Sequence, residues 1–430
     1  MKRKSEICLY IIANYAYVGI NAISNLFVSK ILGPATLGVI SYFNAIDSNL
    51  NSFILGIIRL SIEREIPQIK DDKQKQDLGE KGFMLNLLCI SIFSILYLSI
   101  SYYSTEKIIQ ISALWVCALS WIKGLYDYCR IWQKSLFRIK QVSEIMIISA
   151  LLIPPAVLLG AYYYGADGFW FGRIVISLIS FLIIAFLLPK IRPNRIDMCF
   201  LKFILTSGGP IVLFGLIQTV YQTVDKYIII YRLNLDELGF YSLGTMAFSM
   251  MLLLPQSAIG AIFPRFVAQK DVDLTLKVRN YSYIIEYLIL LISLVAYFVI
   301  PLLIDYILPE YHKSIEVIQI FLIAFTAYSS CQLKYIDLIR KKETRLLLIY
   351  SLFPFIISII LFVIISFISF EIEQMALLTT VNFILLSISV SLAWLKSCNL
   401  KLKDYITQLI LQIIPYIILI LVHYDFIRHI

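Results

Sequence analysis

The sequence predicts an all-α polytopic membrane protein, and three observations predict it. Sixty per cent of the 430 residues are apolar and only 15% are charged, with a mean hydropathy of +0.83, well beyond the range of soluble domains. Thirteen apolar stretches approach the roughly 20 residues that a helix needs to cross a hydrocarbon core. Runs such as ISLISFLIIAFLL are apolar on every face, so the period-two alternation of an outer-membrane barrel is absent.

The stretches fall at 7–30, 37–61, 83–103, 109–128, 142–164, 168–188, 206–230, 239–263, 281–304, 315–336, 346–368, 374–395 and 405–424. The first is too long, and too plainly followed by others, to read as a cleaved signal peptide. It ends in VSKILGPATLG, where Gly33-Pro34 marks the turn into the second. A basic REIPQIK segment follows the second helix, QKSLFRIKQVSEI separates the fourth from the fifth, and YGADG separates the fifth from the sixth. Loops on the far side are short, the longest being DYILPEYHKS, and nothing between the helices is long enough to fold as a separate soluble domain. The last stretch, 405–424, is either a thirteenth span or an interfacial helix.

Basic residues set the orientation. With the amino terminus cytoplasmic, the inner loops hold 28 of the 37 Lys and Arg, whereas the outer loops hold Lys107, Arg232, Lys313 and Arg428. That asymmetry follows the positive-inside rule. The formal charge of +9 therefore reports topology and contact with anionic membrane lipid, and no nucleic-acid partner is implied.

Several function classes are disfavoured. The seven cysteines form no CxxC pair, and the three histidines are scattered, so neither a disulfide framework nor a metal site is expected. No GxxxxGK[ST] occurs, and no other cofactor motif is found. The short outer loops leave no room for a catalytic domain, so the expectation is a transporter and not an enzyme.

An internal repeat emerges at an offset of 201 residues. LGPATLGVIS (32–41) falls on LNLDELGFYS (233–242), and IEREIPQ (62–68) falls on FPRFVAQ (263–269). Both copies leave the membrane, turn at Leu-Gly, return, and end in Arg64 or Arg265 with the same spacing to a Gln. Six helices separate them, an even number, which makes the repeat parallel. The organisation expected is an amino-terminal six-helix lobe over 1–202, a second over 203–404, and an extra apolar segment over 405–430.

These features resemble the polysaccharide flippases of the Wzx type, in the superfamily that also holds the lipid II flippase MurJ and the MATE exporters. SKILGPATLGVISY, REIPQIK, QKSLFRIKQVSEI, YGADGFWFGRIV (164–175) and VDKYIIIYRLNLDELGFYSL (224–243) carry the resemblance, which covers roughly residues 5–395. It implies two six-helix lobes in a V around a central cavity in the bacterial cytoplasmic membrane. The cargo it implies is an undecaprenyl-diphosphate-linked oligosaccharide, moved by alternating access for O-antigen or capsule assembly. H+ or Na+ as a coupling ion, and a polysaccharide polymerase and chain-length proteins as partners, belong to the same expectation. A MATE-type ion-coupled exporter of small molecules is the alternative; it calls for acidic groups in the first lobe, whose first helix offers only Lys30.

Charges within the spans are the candidate site, because each costs on the order of 3 kcal/mol at mid-membrane and therefore faces protein or enclosed water. They are Lys30, Asp47, Arg59, Lys123, Asp127, Arg173, Asp225, Lys226 and Glu286. The first six helices carry four cations against two anions, a balance suited to a pyrophosphate head. Lys30, near a helix end, either lines the cavity or snorkels to the headgroups. Lys123 and Asp127, four apart, either pair locally or act separately. Arg64 and Arg265 fit the helix dipole and the inner boundary, whereas Arg59 and Arg173 lie a turn inside the boundary and are expected to face the cavity. Asp225 and Lys226 point about 100° apart. By resemblance Asp225 is the residue that links substrate or ion binding to lobe closure. Tyr42, Tyr126 and Tyr221 have the chemistry to stack on sugars, though packing is the plainer role.

The orientation is open to direct measurement. A reporter fused after Lys396 should be cytoplasmic and one after Glu371 external, and opposite labelling at both points would reverse the topology argued from the basic loops.

Overall fold

The computed structural model describes residues 2–50, 55–103, 107–187, 194–268, 273–341, 343–398 and 402–429. Among them are thirteen α-helices and no strand. The chain divides into two compact units, Met1–Leu216 and Ile217–Ile430. The first holds α1 (Lys2–Leu50), α2 (Gly56–Glu65), α3 (Asp72–Tyr102), α4 (Lys107–Ser135), α5 (Ile139–Phe186) and most of α6 (Met198–Tyr221). The second holds α7 (Val224–Arg232), α8 (Leu235–Ala268), α9 (Asp273–Ile307), α10 (Ser314–Arg340), α11 (Thr344–Ser366), α12 (Ile372–Ser397) and α13 (Leu402–His429).

Eight helices among the described residues are long and apolar enough to cross a membrane, fewer than the thirteen stretches in the sequence. Some of the stretches share a helix and others fall on two. Stretch 7–30 and residues 37–50 of the second stretch share α1, which is interrupted at Gly33 (φ 76°, ψ 174°) before Pro34, and the second stretch ends on α2. Only glycine adopts that backbone freely, and the missing N–H of proline suits the first turn of the next helix. Stretches 142–164 and 168–188 share the 48 residues of α5, broken at Gly165 (φ 62°, ψ −139°). Stretch 206–230 is divided between α6 and α7 at Gln222-Thr223. The segment at 405–424 is part of α13, which packs against α9, α10 and α12 and buries Gln412 and Tyr416.

In α5 the two halves fold back on each other. A Cβ on Gly160 would lie 2.2 Å from the Gly168 carbonyl oxygen, one on Gly168 would lie 2.0 Å from that of Gly160, and one on Gly172 would lie 2.6 Å from that of Ala156. Small residues thus let the two backbones touch, as membrane helices require where no hydrophobic force separates lipid from protein. Ser149 and Ser180 hydrogen-bond across the same seam at 2.7 Å. In the first unit α5 packs on α1 and α4, and α4 packs on α3. Tyr128 and Trp132 of α4 lie over Gly79 and Gly82, and the Tyr128 hydroxyl donates to the Gly79 carbonyl at 2.7 Å. Beyond the membrane-spanning helices Asp197 caps α6, accepting the Phe200 N–H at 2.6 Å. That bond and Lys81 hold its carboxyl below the usual range.

The second unit is organised around α10, whose residues 317–334 are buried throughout and which contacts α8, α9, α11, α12 and α13. A helix polar enough to carry TAYSSCQ along its length is thereby removed from lipid.

The α5 seam makes a sharp prediction. Gly168→Ala should cost about 1–3 kcal/mol by overpacking and lower the unfolding temperature in detergent by several degrees. Gly19→Ala, where a Cβ meets nothing within 4 Å, should leave it unchanged.

Candidate functional site

The first unit gathers most of its membrane-embedded charges into one cluster. Asp47 at the end of α1, Arg59 on α2, Lys123, Asp127 and Arg130 on α4 and Arg173 on α5 contribute to it. Lys123 Nζ lies 2.6 Å from an Asp47 oxygen. Asp127 lies 3.1 Å from Arg130 and 3.8 Å from Arg59. Arg59 also donates to the Gly124 carbonyl at 3.3 Å, which ties α2 to α4.

The local Lys123–Asp127 pairing that the i,i+4 spacing offers is therefore replaced. Asp127 is engaged by two guanidiniums, and Lys123 pairs between helices. Arg130, which the sequence placed in an inner loop, is a helical residue one turn beyond Asp127 and belongs to the cluster. Lys30 stands apart: it is exposed on α1, three residues before the Gly33 break. The side chains of Arg64 and Arg265 lie outside the described residues.

Arg173 differs from its neighbours. Its guanidinium lies over the Phe169 ring, 5.8 Å from the centroid, within electrostatic reach of Asp47, Lys123 and Tyr17. One terminal nitrogen is buried and has no hydrogen-bond partner among the described residues. Such a donor costs about 1–3 kcal/mol unless something accepts from it. Counted together, Arg59, Lys123, Arg130 and Arg173 outnumber Asp47 and Asp127 by two positive charges. The cluster is not sealed, since the Lys123 side chain keeps 38% of its exposure.

In the second unit Asp225 and Lys226 open α7. Asp225 is 1% exposed and fully engaged: it accepts the Lys226 N–H at 2.8 Å, the Tyr241 hydroxyl, and the Thr379 hydroxyl at 3.3 Å. It therefore anchors the broken end of α7 to α8 and α12. Lys226 is half-buried and directed to another face. Tyr126 and Tyr221 are packed, the first beneath Arg130 and the second between Phe355 and Phe383; Tyr42 is half-buried against Phe43.

A second buried polar cluster joins α9, α10, α12 and α13. Lys334, 3% exposed, donates to Ser391 at 3.1 Å and to Gln412 Oε1 at 2.9 Å. Gln412 in turn donates to Ser387 at 2.8 Å and to Tyr416 at 3.1 Å. Lys334 falls two residues before the end of the stretch 315–336 and was not among the embedded charges singled out in the sequence. The small polar residues that precede it, SSCQ, were the available sign of a buried helix face.

No protein-family model matches the chain, and no curated protein matches it in sequence. Solved structures do. The fold is similar to that of a multidrug resistance MATE family transporter of the MOP superfamily in its inward-facing conformation, with TM-score 0.75 and 12% identity over 89% of this chain and 94% of that one. The lipid II flippase MurJ, inward closed, gives TM-score 0.74 and 12% identity over 98% and 99%. A point mutant of the Vibrio cholerae MATE transporter VcmN gives 0.62 and 14% over 92% and 97%. The fold is that of the MATE and MurJ transporters. At such identities the likeness is one of architecture, and the charges of a MATE-like fold must be interpreted from this chain's own residues.

Asp225 provides a test of the anchor. Tyr241→Phe should destabilise the protein by about 1–3 kcal/mol, because a buried carboxylate loses a donor. Thermal unfolding in detergent would show it, with Tyr306→Phe, on a side chain 88% exposed, as the silent control.

Proposed function

We propose that the protein is a flippase for an undecaprenyl-diphosphate-linked oligosaccharide in the bacterial cytoplasmic membrane, with its amino terminus on the cytoplasmic side. The observation that carries this reading is the positive excess of the first-unit cluster together with the unmet donor of Arg173. A diphosphate supplies oxygen acceptors and the opposite charge, and arginine is suited to it because its planar fork binds phosphate oxygens in pairs. Arg173 and Lys123 are the residues that contact the head. Asp47, Arg59, Asp127 and Arg130 hold them in place, and Lys30 sits at the approach. Asp225 sets the end of α7 in the second unit, where Lys226 is a separate cation. The lipid tail remains in the bilayer while the sugars cross through water.

In this reading transport proceeds by alternating access, as the parallel repeat in the sequence allows. The driving force is an ion gradient, H+ or Na+, or the consumption of product outside; one charge moving through 100 mV supplies about 2.3 kcal/mol. O-antigen or capsule assembly is the setting, with a polymerase and chain-length proteins acting downstream. The alternative of a MATE-type exporter of organic cations is disfavoured by the sign of the same cluster, since a cationic drug would be repelled by an excess of arginine and lysine.

Arg173→Ala should reduce surface polysaccharide roughly tenfold or more by loss of a charge-assisted bond, with the protein still present in the membrane, and Arg173→Lys should retain part of the activity. Arg59→Ala should lower both activity and thermal stability, because Arg59 also bonds the α4 backbone. Normal polysaccharide in the Arg173→Ala strain would remove the main support for a diphosphate head at this cluster.

A further inference from the structure

Glu286 lies on α9 within the second polar cluster and is 0% exposed. Both of its carboxyl oxygens are buried and have no hydrogen-bond partner among the described residues. The contrast with Asp225, which has three donors, is chemical. An ionised carboxylate would draw donors to itself, whereas a protonated one tolerates an apolar wall far better. The cation in electrostatic reach is Lys334 of α10. Its ammonium is turned to Ser391 and Gln412 instead.

The other titratable groups that face Glu286 are Tyr283 on its own helix, Cys331 on α10 and Tyr416 on α13; Arg279 acts on Tyr283. From α12 the cluster receives the neutral hydroxyls of Ser387 and Ser391. Tyr416 is already committed to Ser330, Ser387 and Gln412. Lys334 is therefore the group with freedom to answer a change of charge on Glu286.

We propose that Glu286 is a proton-binding site of the second unit, with Lys334 exchanging partners between two arrangements of the cluster. In the arrangement observed the carboxyl carries the proton, and Lys334 is bound to Ser391 and Gln412. When the site opens to water the carboxyl gives its proton to a water molecule, forming hydronium and a carboxylate. Lys334, keeping its own protons, then leaves Gln412 for Glu286. Uptake is the reverse, with hydronium returning a proton to the carboxylate. No other bond forms or breaks. The exchange pulls α9 toward α10 and frees Gln412 on α13, so proton occupancy is coupled to helix packing. Its use in driving transport rests on the flippase reading, but the site itself does not.

The test uses the intact, purified protein and needs no cargo. Dicyclohexylcarbodiimide, an apolar reagent that adds to protonated carboxyl groups, should label Glu286, as read by peptide mass spectrometry, and the labelling should fall as pH rises. Asp225, held by three donors, should remain unlabelled. Lys334→Met removes the cation that favours the carboxylate, so its labelling should persist to a pH higher by about one unit or more. Should that variant fail to fold, the wild-type protein still decides the matter. Its infrared difference spectrum between acid and neutral pH should contain a protonated carboxyl carbonyl band, which Glu286→Gln deletes and Glu286→Asp displaces. Absence of labelling on Glu286, or a pH-independent profile, or a carbonyl band unchanged in Glu286→Gln would overturn the proposal. A chain that carries no lipid-linked sugar but labels as described would refute the flippase reading and leave the proton site standing.

Discussion

Inside hydrocarbon a charge is tolerated only against another charge, a dipole or enclosed water, and each unit of this protein is arranged around that constraint. In the first unit it brings four helices together. Lys123 needs Asp47, Asp127 is held between Arg59 and Arg130, and Arg59 takes a backbone carbonyl of α4 as well. The second unit answers it with α10, buried along most of its length, and with hydroxyls and amides that surround one lysine. The two solutions differ in outcome: the first leaves positive charge in excess, and the second leaves a carboxyl without donors.

Much of the helix plan was legible because a membrane imposes a minimum length and a bias of basic residues, both of which survive in a single sequence. The breaks at Gly33 and Gly165 were also visible, since glycine beside proline, or in YGADG, has few other uses in an apolar run. What the sequence withheld was pairing. Spacing along a helix offered Lys123 to Asp127, but it carries no information about Asp47, 76 residues away, or about two arginines competing for the same carboxylate. Arg130 and Lys334 were left out of the embedded charges for a related reason. Each lies where hydropathy falls, and a falling average cannot distinguish the end of a helix from a polar residue buried within it.

Asp225 shows what resemblance leaves out. Resemblance marks it as a link between binding and lobe closure but carries nothing of its partners, Tyr241 and Thr379, which converge on one carboxylate oxygen. Glu286 shows the opposite case. The sequence marked it as an embedded charge and left its surroundings blank, and only the packing of α9 against α10 and α13 reveals a carboxyl without donors.

The place of α13 has a consequence for biosynthesis. Gln412 supplies the acceptor for Lys334 from a helix that follows every other member of that cluster in chain order. As the polypeptide is inserted, α10 must enter the bilayer with its lysine before that acceptor has been translated, so the second unit passes through a stage with a desolvated ammonium only partly matched. Until α13 follows, Ser391 of α12 is the one of its two hydrogen-bond acceptors already in the chain.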